Sequence, residues 1–277
     1  MPAAASFRAT LFVGAIATIA VAAPTHAQER PQRDAADQAT RQDLTPVPVV
    51  QQRFNLVGLG LGFIPDFSGS NSYRALPLPV LRLGYKDKLF INVLQAGAWL
   101  YSSEDNTLKV GVAIEPRFGW SADDNARVAG MENRSFSFEG GPNVQWRTPL
   151  GVLTANFYQD LGGASDGQTA QITYVKALWR TQQLFVNGSA GAQWFSGGMN
   201  DYYFGVRPFE ATGLRPQYTG RSSVSLQLGL NGAWRVSERG SVLFGIGVSR
   251  IGAGAADSPI VETRIQSVFY GGYGWSF

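Results

Sequence analysis

Long runs of strict period-two alternation begin near Arg53, and they restrict the fold more than any other feature of this chain. Apolar residues at every second position put one face of a strand in an oily setting. The cleanest run sets Leu108, Val110, Val112, Ile114, Pro116, Phe118 and Trp120 against Lys109, Gly111, Ala113, Glu115, Arg117 and Gly119. A second sets Phe136, Phe138, Val144 and Trp146 against Ser135, Ser137, Glu139, Asn143 and Gln145. Similar runs lead to Trp234 and cover Val242 to Val248. They extend over about 10 to 13 residues. A tilted membrane strand needs about 9–11 residues, whereas soluble strands average about 5–6. The pattern therefore predicts an all-β fold, a transmembrane antiparallel β-barrel.

Strand count and orientation follow from the gaps. Short connections fall near Thr148-Pro149, Thr181-Gln182 and Ser237-Glu238, and longer ones near 121–133, 161–168, 196–222 and 252–262. Bacterial barrels have short periplasmic turns and longer outer loops, so the last strand runs toward the periplasm. About ten strands are clear, and twelve result if Leu89–Val93 and Ala96–Tyr101 form a separate up–down pair. An even count that also includes Asn55–Phe63 favours twelve. Trp120, Trp146, Trp179, Trp194, Trp234 and Trp275 sit near segment ends, as interfacial girdles would. Pro77, Pro79, Pro116 and Pro142 oppose the assignment, because proline removes a ladder hydrogen bond; bulges or strand ends are expected there. The stretch from Ile172 to Arg180 is ambiguous, with Lys176 and Arg180 sharing parity with Ile172, Tyr174 and Leu178.

Composition agrees with lipid as the solvent. Charged residues make up 16% of the chain against about 25% in a typical soluble domain. At the N-terminus, Arg8 precedes an uncharged apolar run from Leu11 to Ala23, followed by Thr25-His26-Ala27. That arrangement predicts a secretory signal peptide over residues 1–27, too short in its apolar part to span a bilayer. Its removal would lower the formal net charge from +3 to +2 by the loss of Arg8. Such a balance carries no nucleic-acid footprint. Residues 28–52, rich in Gln, Arg, Asp and Ala, read as a flexible periplasmic leader, and residues 53–277 as the barrel. The final strand places Phe269, Gly271, Tyr273, Trp275 and Phe277 on one face, an edge that insertion machinery could read by strand addition.

The same composition narrows the chemistry. His is the usual general base near neutrality, and the sole histidine, His26, lies in the signal segment; cysteine is absent. Ser-His and Cys-His activation and the usual zinc ligands are thereby missing, so no catalytic, cofactor or metal site is expected. Glu115, Glu139 and Asp160, with Arg117 nearby, remain as a carboxylate-only candidate and read better as a solvated or ion-paired lumen. Lumen-parity Arg82, Glu115, Arg117, Glu139 and Arg147 mix both signs. Glu104-Asp105 and Asp123-Asp124 read as solvated turn residues. The loop 196–222 carries Tyr202, Tyr203, Phe204, Phe209 and Tyr218 and is expected to plug the mouth.

Several stretches resemble the MipA/OmpV family of outer-membrane proteins. Gly58-Leu59-Gly60-Leu61-Gly62 leads into Pro65-Asp66-Phe67-Ser68-Gly69-Ser70, Tyr73 and Pro77-Leu78-Pro79, like the family's opening strand, loop and second strand. Later come Tyr202-Tyr203-Phe204-Gly205-Val206, Gly213-Leu214 and Tyr218. The most specific stretch is Ala255-Ala256-Asp257-Ser258-Pro259-Ile260-Val261. The resemblance covers roughly 53–277 and departs at Gly162–Gly167, where the family often has a His-containing turn. It implies a cell outer-membrane location, with lipid and lipopolysaccharide around the barrel. It also implies a scaffold that holds a membrane-bound lytic transglycosylase near a murein synthase. A narrow porin-like channel is the alternative.

Overall fold

In the computed structural model the described residues are 55–277; the signal peptide predicted over 1–27 and the leader predicted over 28–52 lie outside them. Alternation becomes strand along most of the chain. The twelve strands are β1 (Leu56–Pro65), β2 (Tyr73–Tyr85), β3 (Leu89–Asn92), β4 (Gln95–Ser102), β5 (Leu108–Arg117), β6 (Ser137–Thr148), β7 (Gly151–Asp160), β8 (Gln168–Arg180), β9 (Leu184–Phe195), β10 (Ser223–Arg235), β11 (Gly240–Arg250) and β12 (Ile265–Ser276). Each pairs antiparallel with its neighbours, and β1 pairs with β12 to close the barrel. The separate β3–β4 hairpin is present, so the count is twelve.

Side-chain parity sorts the two faces. Val112, Ile114, Phe138, Trp146, Leu226 and Leu228 point outward and are exposed, while Lys109, Glu139, Asn143 and Gln145 point inward and are buried. An exposed apolar belt of this kind is what transmembrane barrels turn toward lipid. Phe269, Tyr273, Trp275 and Phe277 form an outward aromatic ladder. Trp146, Trp179, Trp234 and Trp275 are all exposed near the end that carries the short turns, which makes one girdle. The β8 ambiguity resolves through a register shift between Ala177 and Trp179, which leaves both Leu178 and Trp179 facing out.

The four prolines each have a physical explanation. Pro116 is the penultimate residue of β5. Pro142 sits where the β6–β7 pairing is interrupted between Gly140 and Asn143. Pro77 and Pro79 pair with β1 on one side, but β3 reaches only Arg82–Tyr85 on the other. The Val93 N–H donates to the Leu81 carbonyl at 2.6 Å, so odd-numbered residues of β2 turn their backbone groups toward β3. Above Leu81 that edge has no partner strand among the described residues. Proline at 77 and 79 removes the donors that would otherwise recruit another chain. Pro79→Val is expected to fold and to form detergent-resistant dimers or higher species on native gels; a strictly monomeric variant would argue against this role of the edge.

The closing seam is built from glycine. Gly60 lies opposite Gly272, and Gly58 opposite Gly274. With no side chains on this stretch of inner wall, Leu78 and Val80 of β2 lie over Gly62 and Gly272. One wall of the lumen is thus apolar, and the opposite wall is polar. A cavity of about 360 Å³ runs along the inner face of β8–β12, beside Thr173, Gln227, Asn231, Ser249 and Tyr270.

Candidate functional site

The long connections converge at one end of the barrel and fold together there. The 196–222 loop carries helix α1 (Gly197–Phe204), capped by Ser196, whose Oγ accepts the Met199 N–H at 3.3 Å. A 3-10 turn follows at Pro208–Glu210, and a short helix α2 (Ala253–Ala256) lies in the 251–264 loop. Side chains from four loops make a small apolar core: Phe67, Trp120, Val128, Met131, Val206 and Ile260. Trp120 is therefore no girdle residue. It is 6% exposed, its indole N–H donates to the Tyr203 carbonyl at 3.2 Å, and its ring meets Phe67 at 6.0 Å. Strand β5 ends at Arg117, so alternation no longer governs where Trp120 points.

A buried ion pair locks this core. Arg134 and Glu210 are each almost wholly buried, with Arg134 Nη1 on Glu210 Oε1 at 3.1 Å and Nη2 on Oε2 at 3.0 Å. The guanidinium also donates to the carbonyls of Tyr202, Glu132 and Gly205, and it lies 5.0 Å from the Trp120 ring centroid. Glu210 further accepts the N–H groups of Glu132 and Arg207, both at 2.9 Å. Such satisfaction is what makes a buried pair tolerable. At the outer edge Arg207 pairs with Glu132. Asn200 ties α1 to the top of β10, donating to the Arg221 carbonyl at 2.7 Å and Ser223 Oγ at 3.0 Å. The loop 196–222 thus forms part of a folded cap over the mouth.

The residues behind the family resemblance gather in this cap. Pro65 ends β1. Asp66 accepts from Asn125 Nδ2 at 3.0 Å, bridging the first loop to the third. Gly69 has φ 94°, a left-handed conformation that favours glycine, and its carbonyl accepts from Glu262 N–H at 2.8 Å and Thr263 N–H at 3.0 Å. The Tyr203 hydroxyl reaches the Ser135 carbonyl, and burial pushes its phenol up from its ordinary pKa. Gly205 ends α1, its N–H on the Asp201 carbonyl at 2.8 Å. Asp257 pairs with Arg264 at 2.8 Å, and Ser258, buried, donates to the Phe204 carbonyl at 2.5 Å. Pro259 separates Ser258 from the core residue Ile260.

Two cap glutamates give the assembly a pH dependence. Burial alone would push Glu210 up, but Arg134 and Arg207 outweigh it and hold the carboxyl below the ordinary glutamate value of 4.5. The Asn71 N–H and then Arg127 hold Glu262 below it too. A depressed folded value stabilises above the unfolded value and is lost as pH falls through the folded one. Loop cleavage by an acid-active protease is therefore expected to stay constant from pH 7 to about 5 and to rise below about 4. A flat profile down to pH 3 would contradict this.

Beneath the cap, the sequence-predicted lumen residues separate into three groups. Arg117 grips Glu139 with Nε at 2.5 Å and Nη2 at 3.0 Å, and Thr169 Oγ1 donates to the same carboxylate at 3.0 Å. Glu115 lies directly across from Glu139 and accepts from Gln95 at 3.3 Å; Gln95 in turn donates to the Tyr158 oxygen at 3.0 Å. Asp160 faces Glu139 in register, but its carboxylate accepts from Ser137 Oγ of β6 and anchors the 161–167 loop through the N–H groups of Gly162, Ser165 and Asp166. Arg82 stands apart toward the short-turn end of β2, with no acidic partner within ion-pair distance among the described residues. Sequence reasoning missed the Arg134–Glu210 pair, since both residues sit in aperiodic loops 76 positions apart. Glu210 lies four residues after the aromatic motif at Tyr202–Val206, but nothing in the sequence marks Arg134 as its partner.

An apolar outer belt, a closed antiparallel barrel, short turns at one end and long loops at the other define an outer-membrane β-barrel. A family model described as MltA-interacting protein MipA matches residues 57–277. The chain belongs to this MipA/OmpV family. It is 26% identical over 147 residues to the outer membrane protein Omp26La of Vibrio anguillarum, and likewise to the outer membrane protein OmpV of Vibrio cholerae. Each match covers 53% of this chain and 57% of the relative, so the chain spans little more than half the length of these relatives. Among solved structures, the toluene transporter TbuX of Ralstonia pickettii aligns with a TM-score of 0.43 and 11% identity, over 86% of this chain and 93% of that one. The protein is located in the outer membrane.

Proposed function

We propose that the protein is a non-enzymatic scaffold of the outer membrane. In this reading it holds a lytic transglycosylase, and through it a murein synthase, at the periplasmic face. The observation that carries this reading is the folded cap: the outward end is occupied by a packed core and a buried ion pair rather than by an open mouth. The family's description, MltA-interacting protein, supports a murein hydrolase as the partner. The absence of cysteine, and of any histidine beyond His26, supports a role without catalysis. Residues 1–27 direct export in this account, residues 28–52 serve as a periplasmic leader, and lipid and lipopolysaccharide surround the barrel. A murein hydrolase is expected to co-purify from mild detergent, and its recovery is expected to survive substitutions in the cap. Failure to recover one, under conditions that keep other envelope complexes intact, overturns the proposal. The rival reading, a narrow channel, rests on the mixed-charge lumen and the 360 Å³ cavity beside β8–β12.

A further inference from the structure

The strand-borne carboxylates of the lumen are confined to one end of its axis, where Arg117 pairs with Glu139. All three strand carboxylates, Glu115, Glu139 and Asp160, lie at the capped end. At the short-turn end, Arg82, Lys109 and Arg147 point inward. The register makes these cations part of one continuous patch across five neighbouring strands. Arg82 on β2 is a diagonal neighbour of Phe90, since Phe90 pairs with Gly84. Phe90 stacks on Trp99, centroids 4.8 Å apart and planes 26° from parallel. Lys109 Nζ lies 6.0 Å from the Trp99 ring centroid. Arg147 is diagonal to Lys109, because Lys109 pairs with Gln145.

Among the described residues no carboxylate forms an ion pair with these cations. Lys109 is only 5% exposed, yet its ammonium has no hydrogen bond or ion pair among the described residues. Arg147 has one long bond, Nη2 to Gln145 Oε1 at 3.4 Å, and its Nε is buried without a partner. Asp87, at the β2–β3 turn, is the carboxylate whose charge reaches both, and it forms an ion pair with neither. Lys109 is the buried one of the three; Arg147 is half-buried and Arg82 is exposed within the barrel. An unpaired cation withdrawn from water is costly. Three cations here face one lumen, around a flat aromatic platform.

We propose that this patch is a binding site, open to the periplasmic end, for a small organic anion: a carboxylate or phosphate carried on a ring. The anionic group sits between Lys109 and Arg147, with Arg82 at the far side, and the ring lies against the Phe90–Trp99 stack. Arg147 Nε and the Lys109 ammonium supply donors that the fold leaves unused, and charge-assisted bonds of this kind are the strong ones. The site is independent of any scaffold role, because it needs neither a partner protein nor the cap.

Benzoate is a suitable probe, and benzyl alcohol is its uncharged analogue. The unfolding midpoint of the full-length protein in detergent would be followed at constant ionic strength as each is added. Benzoate is expected to raise the midpoint, and benzyl alcohol to leave it unchanged. Lys109→Met and Arg147→Met are each expected to weaken the half-saturating concentration by roughly tenfold or more, the loss of one charge-assisted bond. Lys176→Met, on the outward face, should not change it. Without ligand, Lys109→Met is expected to melt no lower than the unsubstituted protein, since no partner is lost. The proposal is overturned if benzoate acts equally on all variants, if benzyl alcohol works as well as benzoate, or if neither moves the midpoint. It is also overturned if Lys109→Met alone is destabilised, because the lysine would then already be satisfied inside the barrel.

Discussion

Replacing Glu210 with alanine is expected to open the cap while leaving the barrel intact. The substitution strands the Arg134 guanidinium, whose side chain is 1% exposed, among the carbonyls of Tyr202, Glu132 and Gly205. Removing one member of a buried pair costs about 3–5 kcal/mol, because the other charge stays desolvated. The loss falls on the loops that Arg134 ties together, and the strands do not depend on it. Limited proteolysis of the folded protein should therefore cleave within 118–136 and 196–222 at least tenfold faster. Heat-modifiable migration, the signature of a closed barrel, should persist. Unchanged loop protection would mean that the Phe67–Trp120–Ile260 core holds the cap without the ion pair.

The second large effect is expected at the seam. A Cβ on Gly60 would stand 2.6 Å from the Gly271 carbonyl oxygen and 3.2 Å from the Gly272 Cα. These are backbone atoms of the partner strand, so relief requires β1 and β12 to part. Overpacking of a well-packed interior costs about 1–3 kcal/mol, and displaced ladder bonds in lipid add to it. Gly60→Val should therefore reduce the heat-modifiable fraction sharply, by failing to close rather than by weakening any one strand. Gly84→Ala, where nothing lies within 4 Å of an added Cβ, is the matched control and should fold normally. A full folded yield for Gly60→Val would show that the seam has slack.

How far the sequence could be read depends on which force acts in each segment. Lipid on one side and water on the other impose a period of two, and this made β5, β6, β10, β11 and β12 legible in their alternating residues. The missing ladder donor predicted bulges or strand ends at the prolines, which holds for Pro116 and Pro142, whereas Pro77 and Pro79 lie inside β2 in regular register with β1 and face its free edge. That edge depends on the shortness of β3, which is only four residues long. Where the chain leaves the bilayer the period is lost. Val128, Met131 and Trp120 look like ordinary loop residues, and only three-dimensional convergence makes them a core. The resemblance motifs pointed to the cap residues without revealing what they do there. Lumen parity identified Arg82, Glu115, Arg117, Glu139 and Asp160 as inward candidates. Parity gives the side of the wall and not the partner, so it could not show that Asp160 serves a loop while Lys109 and Arg147 have no ion pair among the described residues.

The folded cap is expected to seal the outward end of this outer-membrane barrel. Single-channel recording in planar bilayers tests it most directly, with insertion verified by heat-modifiable migration of the same sample. The intact protein is expected to give no discrete conductance steps, and the Glu210→Ala variant to give steps as its cap loosens. Steady, stepwise conductance from the intact protein would contradict the account and favour the narrow channel.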